Sequence, residues 1–177
     1  MLSEQQILDC TDNAKYAMEG CSGGAPSVAF AYIRDNGGLD SEASYPYKAV
    51  VADTCLFNPA GVAAEDTGAV QLPAKDEAAM KAALATVGPV AVVIDGSSEE
   101  FFGYKTGVFV DSRGECDPER LNHAVLLVGY GTDAESGLDF WLVKNSWGDD
   151  WGDGGYIKMV RGKNICGITE RAFYPLV

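Results

Sequence analysis

One histidine, His123, is all that the 177 residues contain. None of the five cysteines forms a C-x-x-C pair, so a structural zinc would have to be gathered from distant single ligands, and no metal site is expected. Basic side chains are scarce as well, with 13 Lys and Arg against 26 Asp and Glu and a net charge of −13. Phosphate binding is driven by clustered cations, and here they are few and scattered, which speaks against a nucleic-acid partner. Long apolar runs are missing too: Val87 to Ile94 and Ala124 to Val128 fall far short of the ~20 residues a membrane helix needs, so no membrane span is expected. The opening Met1-Leu2-Ser3-Glu4-Gln5-Gln6 has neither a basic nor an apolar stretch of the kind a signal peptide requires, and a targeting segment is expected to lie outside these residues. What remains is a chain of 47% hydrophobic and 22% charged residues, enough to form a packed core. A chain of this length buries roughly 70% of the surface its unfolded form exposes.

Helix signals come first along the chain. Ser3 and Gln6 have capping-box spacing before a short helix to about Cys10. Pro26 opens a second helix carrying Val28, Tyr32 and Ile33, stopped by Asn36-Gly37-Gly38, and a loop is expected from about Asp40 to Pro73. Asp76 caps a third helix whose stripe Met80, Ala83, Leu84 and Val87 ends at Gly88-Pro89. The pattern then changes to short segments rich in Val, Ile and aromatics: Val90 to Ile94, Gly107 to Val110, Ala124 to Tyr130, Phe140 to Lys144 and Tyr156 to Val160. Helices followed by strands indicate an α+β fold, a helical part packed on a mostly antiparallel sheet or barrel, dividing at about residues 1–88 and 89–177.

His123 opens an apolar strand, and 22 residues later a second strand ends in Lys144-Asn145-Ser146-Trp147-Gly148. Adjacent antiparallel strands would set Asn145 beside His123, the arrangement of a general base and its orienting partner. A neutral amide fixes the imidazole without neutralising it, and so leaves the imidazolium to pair with another anion, which in the cysteine hydrolases is a thiolate.

Several segments occur together and in one order: Leu2-Ser3-Glu4-Gln5-Gln6, Gly20-Cys21-Ser22-Gly23-Gly24, Tyr45-Pro46-Tyr47, Leu121-Asn122-His123-Ala124-Val125, Lys144-Asn145-Ser146-Trp147-Gly148 and Cys166-Gly167-Ile168. In this the chain closely resembles the papain and lysosomal cathepsin family of cysteine peptidases. The resemblance implies a two-lobed papain-like fold, incomplete at the N-terminus, and a thiol-dependent endopeptidase. His123 would be its catalytic base and acid, Asn145 the orienter, and Trp147 the indole covering their hydrogen bond. It implies disulfides Cys10–Cys55 and Cys116–Cys166, an oxidising extracellular, lysosomal or vacuolar setting, and Cys21 as a half-cystine to a missing segment. Gly23 and Gly24 would pair with an extended substrate, with Asn122 also at the substrate. Ala25, Pro26, Val93, Leu121 and Ala124 would wall a hydrophobic S2 pocket. Arg171 would stand at its base, where it would tolerate an acidic side chain. No cofactor is implied. The partners would be a peptide or protein substrate and a missing N-terminal fragment or partner chain.

The nucleophile itself does not occur. Family members carry it in a C-G-[SA]-C-[WY] stretch roughly 130 to 150 residues before the histidine. Only 122 residues precede His123, and no such stretch is among them. The chain alone is therefore expected to be inactive, and a catalytically silent structural or binding subunit is the alternative expectation.

Overall fold

The computed structural model describes residues 1–177, which form two compact units, residues 1–70 with 175–177 and residues 71–174.

The first unit holds helices α1 (Glu4–Thr11) and α2 (Pro26–Asn36) and a two-stranded antiparallel sheet of β1 (Leu39–Asp40) and β2 (Val62–Ala64). Ser3 caps α1, its Oγ accepting the Gln6 N–H at 3.0 Å. The inward face of this helix is polar, because Gln5, Gln6 and Asp9 are all buried. Each is spent on the chain that follows. Gln5 accepts the Lys48 N–H and donates to Val50 O, both at 2.7 Å. Gln6 accepts the Asp40 N–H at 2.7 Å, and Asp9 takes the Tyr45 hydroxyl and the Ala52 N–H, each at 2.8 Å. The Cys10–Cys55 disulfide clips the same segment to α1. A long loop with little regular structure is thus ordered by side chains that satisfy its backbone groups. Pro26 starts α2, and Gly37, at φ 77°, ends it in the left-handed conformation that glycine adopts without steric cost.

The second unit is built on a sheet ordered β3–β9–β4–β6–β7–β8–β5. Its strands are β3 (Ala69–Gln71, where the chain enters the unit), β4 (Val90–Ile94), β5 (Val108–Phe109), β6 (His123–Thr132), β7 (Asp139–Lys144), β8 (Tyr156–Val160) and β9 (Arg171–Pro175). The pairs β4–β6, β4–β9, β6–β7 and β7–β8 are antiparallel, whereas β5 runs parallel to β8. The sheet stays open, so of the sheet or barrel expected it is the mostly antiparallel sheet that forms. The fold is α+β. Alternation places Val90, Val92 and Ile94 of β4 in the core with Val125, Leu127, Trp141, Val143, Ile157 and Met159.

Helix α3 (Glu77–Thr86) packs on β4 and β6 through buried Met80 and Ala83. Asp76 caps it, accepting the Ala79 N–H at 2.8 Å. Val87, read from the sequence as the end of the apolar stripe, is instead exposed, because the chain leaves the helix there for the Gly88-Pro89 turn. A one-turn helix, α4 (Glu99–Phe102), follows β4 and is capped by Ser98. The Cys116–Cys166 disulfide lies against this unit's core.

Candidate active site

His123 is the first residue of β6 and pairs with Ile94 of β4. Asn145 follows the last residue of β7, and its N–H is held by Gly155 O at 2.9 Å. The β6–β7 pairing, with Leu126 opposite Lys144, brings the two side chains together, and His123 Nε2 lies 2.8 Å from Asn145 Oδ1. That oxygen also accepts the Ser146 N–H at 2.8 Å. The second bond fixes which end of the amide faces the ring. Because Oδ1 only accepts, Nε2 must carry the proton, which leaves the lone pair of Nδ1 free to take a proton from a nucleophile. Asn145 is 6% exposed, and its Nδ2 is buried without a partner within the chain.

Aromatic rings surround the pair. Trp147 stacks on His123 with ring centroids 5.0 Å apart, and Phe102 stacks on Trp147 at 4.9 Å and 9°. Phe101 meets the imidazole edge-on at 6.2 Å, and Trp151 meets Trp147 at 5.3 Å, its indole N–H donating to Phe102 O at 3.1 Å. Apolar cover of this kind lowers the local dielectric, so the His123–Asn145 bond is stronger than it would be in water. Nothing in the sequence marks Phe101 and Phe102 as part of this cluster. The one local signal for them is the Ser98-Glu99-Glu100 cap, which marks a helix start and says nothing about which rings it delivers.

Of the pocket residues read from the resemblance, Val93, Ala124 and Arg171 form one row. Val93 is in register with Ala124 on β6 and with Arg171 on β9, so the three stand side by side across three strands. Ala124 and Arg171 are exposed and Val93 is half-buried. Leu121 lies over Gly167, where an added Cβ would come within 2.8 Å of its Cδ2. Asn122 is exposed at the residue level, yet its amide is engaged: Oδ1 accepts the Gly96 N–H and Nδ2 donates to Asp95, both at 2.9 Å. In the first unit, Gly23 and Gly24 are exposed after a 3₁₀ turn at Gly20–Ser22, and Ala25 and Pro26 are half-buried at the start of α2. The Met18 side chain lies over Gly24, so a Cβ there would clash with its Cε. Cys21 is an exposed free thiol, while Cys10, Cys55, Cys116 and Cys166 are held in the two disulfides.

Buried Asp95, at the end of β4, carries a pKa well below the usual carboxylate range. Burial alone would raise it, but hydrogen bonds from Arg120, Ser97 and the Asp117 N–H outweigh that cost. A second strongly acidic group, Asp133, is held down by Lys158 Nζ at 2.9 Å, away from the imidazole on the β6–β7 turn.

The match with known proteins extends over nearly the whole chain. A cathepsin L-like peptidase of Aedes aegypti is 55% identical over 177 residues, and mouse cathepsin S is 50% identical over 175. Those alignments cover 99% and 98% of this chain but 50% of each relative, so the chain spans about half the length of the curated relatives it matches. Among solved structures, digestive procathepsin L2 of Tenebrio molitor superimposes with a TM-score of 0.91 at 44% identity, covering 99% of this chain and 53% of that one. A bromelain protease of Ananas comosus in complex with an inhibitor gives 0.85 at 42%, covering 99% and 78%. The fold is thus papain-like. Residues 1–176 match the model of the papain family cysteine proteases, and the chain belongs to that family.

Proposed function

We propose that residues 1–177 are the histidine- and asparagine-bearing part of a cathepsin L-like endopeptidase domain whose nucleophilic cysteine is carried by residues outside them. The observation that supports this most directly is the 2.8 Å contact between His123 Nε2 and Asn145 Oδ1 under the Trp147 ring, with Nδ1 left free. In this reading the Nδ1 lone pair takes the proton of an incoming thiol. The resulting imidazolium stays paired with the thiolate, since Asn145 orients it without neutralising it, and later returns the proton to the leaving amine. Trp147, stacked on the imidazole and backed by Phe102, shields the hydrogen bond throughout.

Within residues 1–177 four of the five cysteines are bonded in disulfides, and Cys21, in the Gly20-Cys21-Ser22-Gly23-Gly24 segment, is read as a half-cystine and not as the nucleophile. The chain alone therefore hydrolyses no peptide bond, and Cys21 pairs with a cysteine outside it. Extended peptides are the substrate: Gly23 and Gly24 offer backbone groups for strand-like pairing, and Ala25 and Pro26 add apolar surface beside them. The row Val93, Ala124 and Arg171, with Leu121 and Asn122 nearby in sequence, contacts the side chains that set specificity. Exposed Arg171 favours an acidic side chain in the substrate. The two disulfides suit an extracellular, lysosomal or vacuolar compartment.

The test is to prepare the complete protein and treat it with a thiol-directed epoxide. Stoichiometric labelling of one cysteine outside residues 1–177, with loss of peptide hydrolysis, is the expected result. Folded protein that neither labels nor hydrolyses would instead identify a silent family member serving as a binding or structural subunit. That second reading draws on the absence of a C-G-[SA]-C-[WY] stretch from these residues.

A further inference from the structure

The loop before α4 and the segment before His123 are tied together at one buried carboxylate. Asp95 is 0% exposed and accepts six hydrogen bonds. Oδ1 takes the Ser97 N–H at 3.0 Å, the Ser97 hydroxyl at 2.5 Å and Asn122 Nδ2 at 2.9 Å. Oδ2 takes the Asp117 N–H at 2.8 Å and both Nη2 and Nε of Arg120, at 2.8 and 3.2 Å. Asn122 then closes the circuit, accepting the Gly96 N–H at 2.9 Å while its own N–H donates to Ile94 O at 3.0 Å. Gly96 lies directly against the imidazole: a Cβ built on it would fall 2.9 Å from His123 Cβ and 3.1 Å from Cδ2. On the far side of the loop, α4 delivers Phe101 to the ring edge.

We propose that Asp95 is a positioning residue for His123, acting through Asn122 and Gly96 on one side and Arg120 on the other to set where the imidazole sits against Asn145. The inference rests on the peptidase reading above for its consequence in catalysis, although its structural half stands without it. Only a carboxylate satisfies all six donors, because it presents acceptors alone. In Asp95→Asn an N–H₂ replaces one oxygen and faces donors, so either the Asn122 arm or the Arg120 and Asp117 arm is broken. The wall formed by Gly96 then shifts, and the ring moves off Asn145. Arg120→Gln is milder, since the guanidinium is about half exposed and the Asn122 arm remains.

Two measurements on the complete protein decide the matter. In ¹⁵N-histidine-labelled protein at a pH where the imidazole is neutral, with any epoxide-labelled cysteine outside residues 1–177 changed to alanine so that no thiolate pairs with the ring, and with the His123 signals identified by their loss in His123→Gln, the parent protein shows one tautomer, protonated on Nε2. Asp95→Asn moves both ring nitrogens toward tautomer-averaged values, and Arg120→Gln moves them less in the same direction. In peptide hydrolysis, Asp95→Asn lowers kcat about 10-fold or more while KM changes less than about 2-fold, as expected for a ring displaced by a fraction of an ångström. Unchanged ring signals and unchanged kcat in folded Asp95→Asn overturn the proposal. If that variant does not fold, Arg120→Gln decides, and ring signals and kcat equal to wild type overturn it equally. A wild type that hydrolyses nothing, yet whose imidazole responds to Asp95→Asn, refutes the peptidase reading and leaves the positioning role standing.

Discussion

Replacing Asn145 by alanine removes one acceptor from a single well-defined bond, and its cost can be worked out from the geometry. With the imidazole neutral, the 2.8 Å contact is an ordinary hydrogen bond between a ring N–H and an amide oxygen, contributing about 0.5–1.5 kcal/mol. Once the ring has taken a second proton the same contact is charge-assisted, contributing about 1.5–3 kcal/mol, and the Trp147 ring, backed by Phe102, shields it. The part gained on protonation belongs to the transition state. Losing that difference, about 1–1.5 kcal/mol, lowers kcat/KM about 5- to 13-fold, with most of the change in kcat. Oδ1 also holds the Ser146 N–H at 2.8 Å, so its removal loosens the turn that carries Trp147 and pushes the effect toward the upper end. The assay is steady-state hydrolysis of a fluorogenic peptide by the complete protein, with kcat and KM separated. Because His123 and Asn145 act as a unit, adding Asn145→Ala to His123→Ala should cost nothing further. A folded Asn145→Ala protein with kcat/KM within about 3-fold of wild type would refute the orienting role, since about 0.7 kcal/mol is less than even an ordinary bond of this kind contributes on average.

Removing the Cys116–Cys166 bridge with a Cys116→Ser, Cys166→Ser pair frees a loop with a sequence separation of 50 residues. Equilibrium unfolding should show a loss of about 4 kcal/mol, and a loss under about 1 kcal/mol would contradict the chain-entropy account. Leu127→Ala, at a fully buried position on central strand β6, should cost about 3–5 kcal/mol in the same measurement, whereas a cost near zero would mean the core collapses around the gap. Asp35, hydrogen-bonded to Lys15 and Arg34, has its pKa lowered from 3.8 to about 2. A carboxylate depressed in the folded state contributes stability above pH 3.8 and loses it as pH falls toward about 2, so Asp35→Asn should flatten the unfolding profile in that window only. A carboxyl ¹³C titration of Asp35 with its midpoint near 3.8 would remove the basis for the effect. Arg171→Ala in the complete protein should reduce kcat/KM on acidic-side-chain peptides and leave leucine peptides unchanged. Equal losses on both would place Arg171 outside the specificity pocket.

The chain's local chemistry was legible without coordinates. Ser3 and Asp76 read as helix caps and cap α1 and α3, and Pro26 and Gly37 bracket α2, because caps depend on groups within one turn of the helix end. Strands β4, β6, β7 and β8 were visible from β-branched and aromatic runs, and β6 and β7 are indeed antiparallel neighbours across a short turn. His123 and Asn145 stood out for the same reason, each lying in a short segment of distinctive residues at the end of a strand. Strand β9 escaped, since Arg171 to Pro175 is brief and carries an arginine and a proline, and only its pairing with β4 makes it a strand. Likewise the parallel partnership of β5 with β8 joins residues about 50 apart along the chain and leaves no periodicity to detect.

Tertiary structure alone decided what the polar residues do. Gln5, Gln6 and Asp9 are polar residues that are nevertheless buried, because the loop that follows brings backbone groups in need of partners. Asp95 follows β4 with nothing local to mark it, and becomes the junction beneath His123 only when Asp117, Arg120 and Asn122 arrive from the far end of a loop. Phe102 remains exposed, and takes its role only because the β7–β8 turn sets Trp147 flat upon it. The division has a physical cause: apolar spacing and capping are properties of neighbours in the chain, whereas a polar side chain takes its role from whichever unsatisfied groups long-range strand register carries to it.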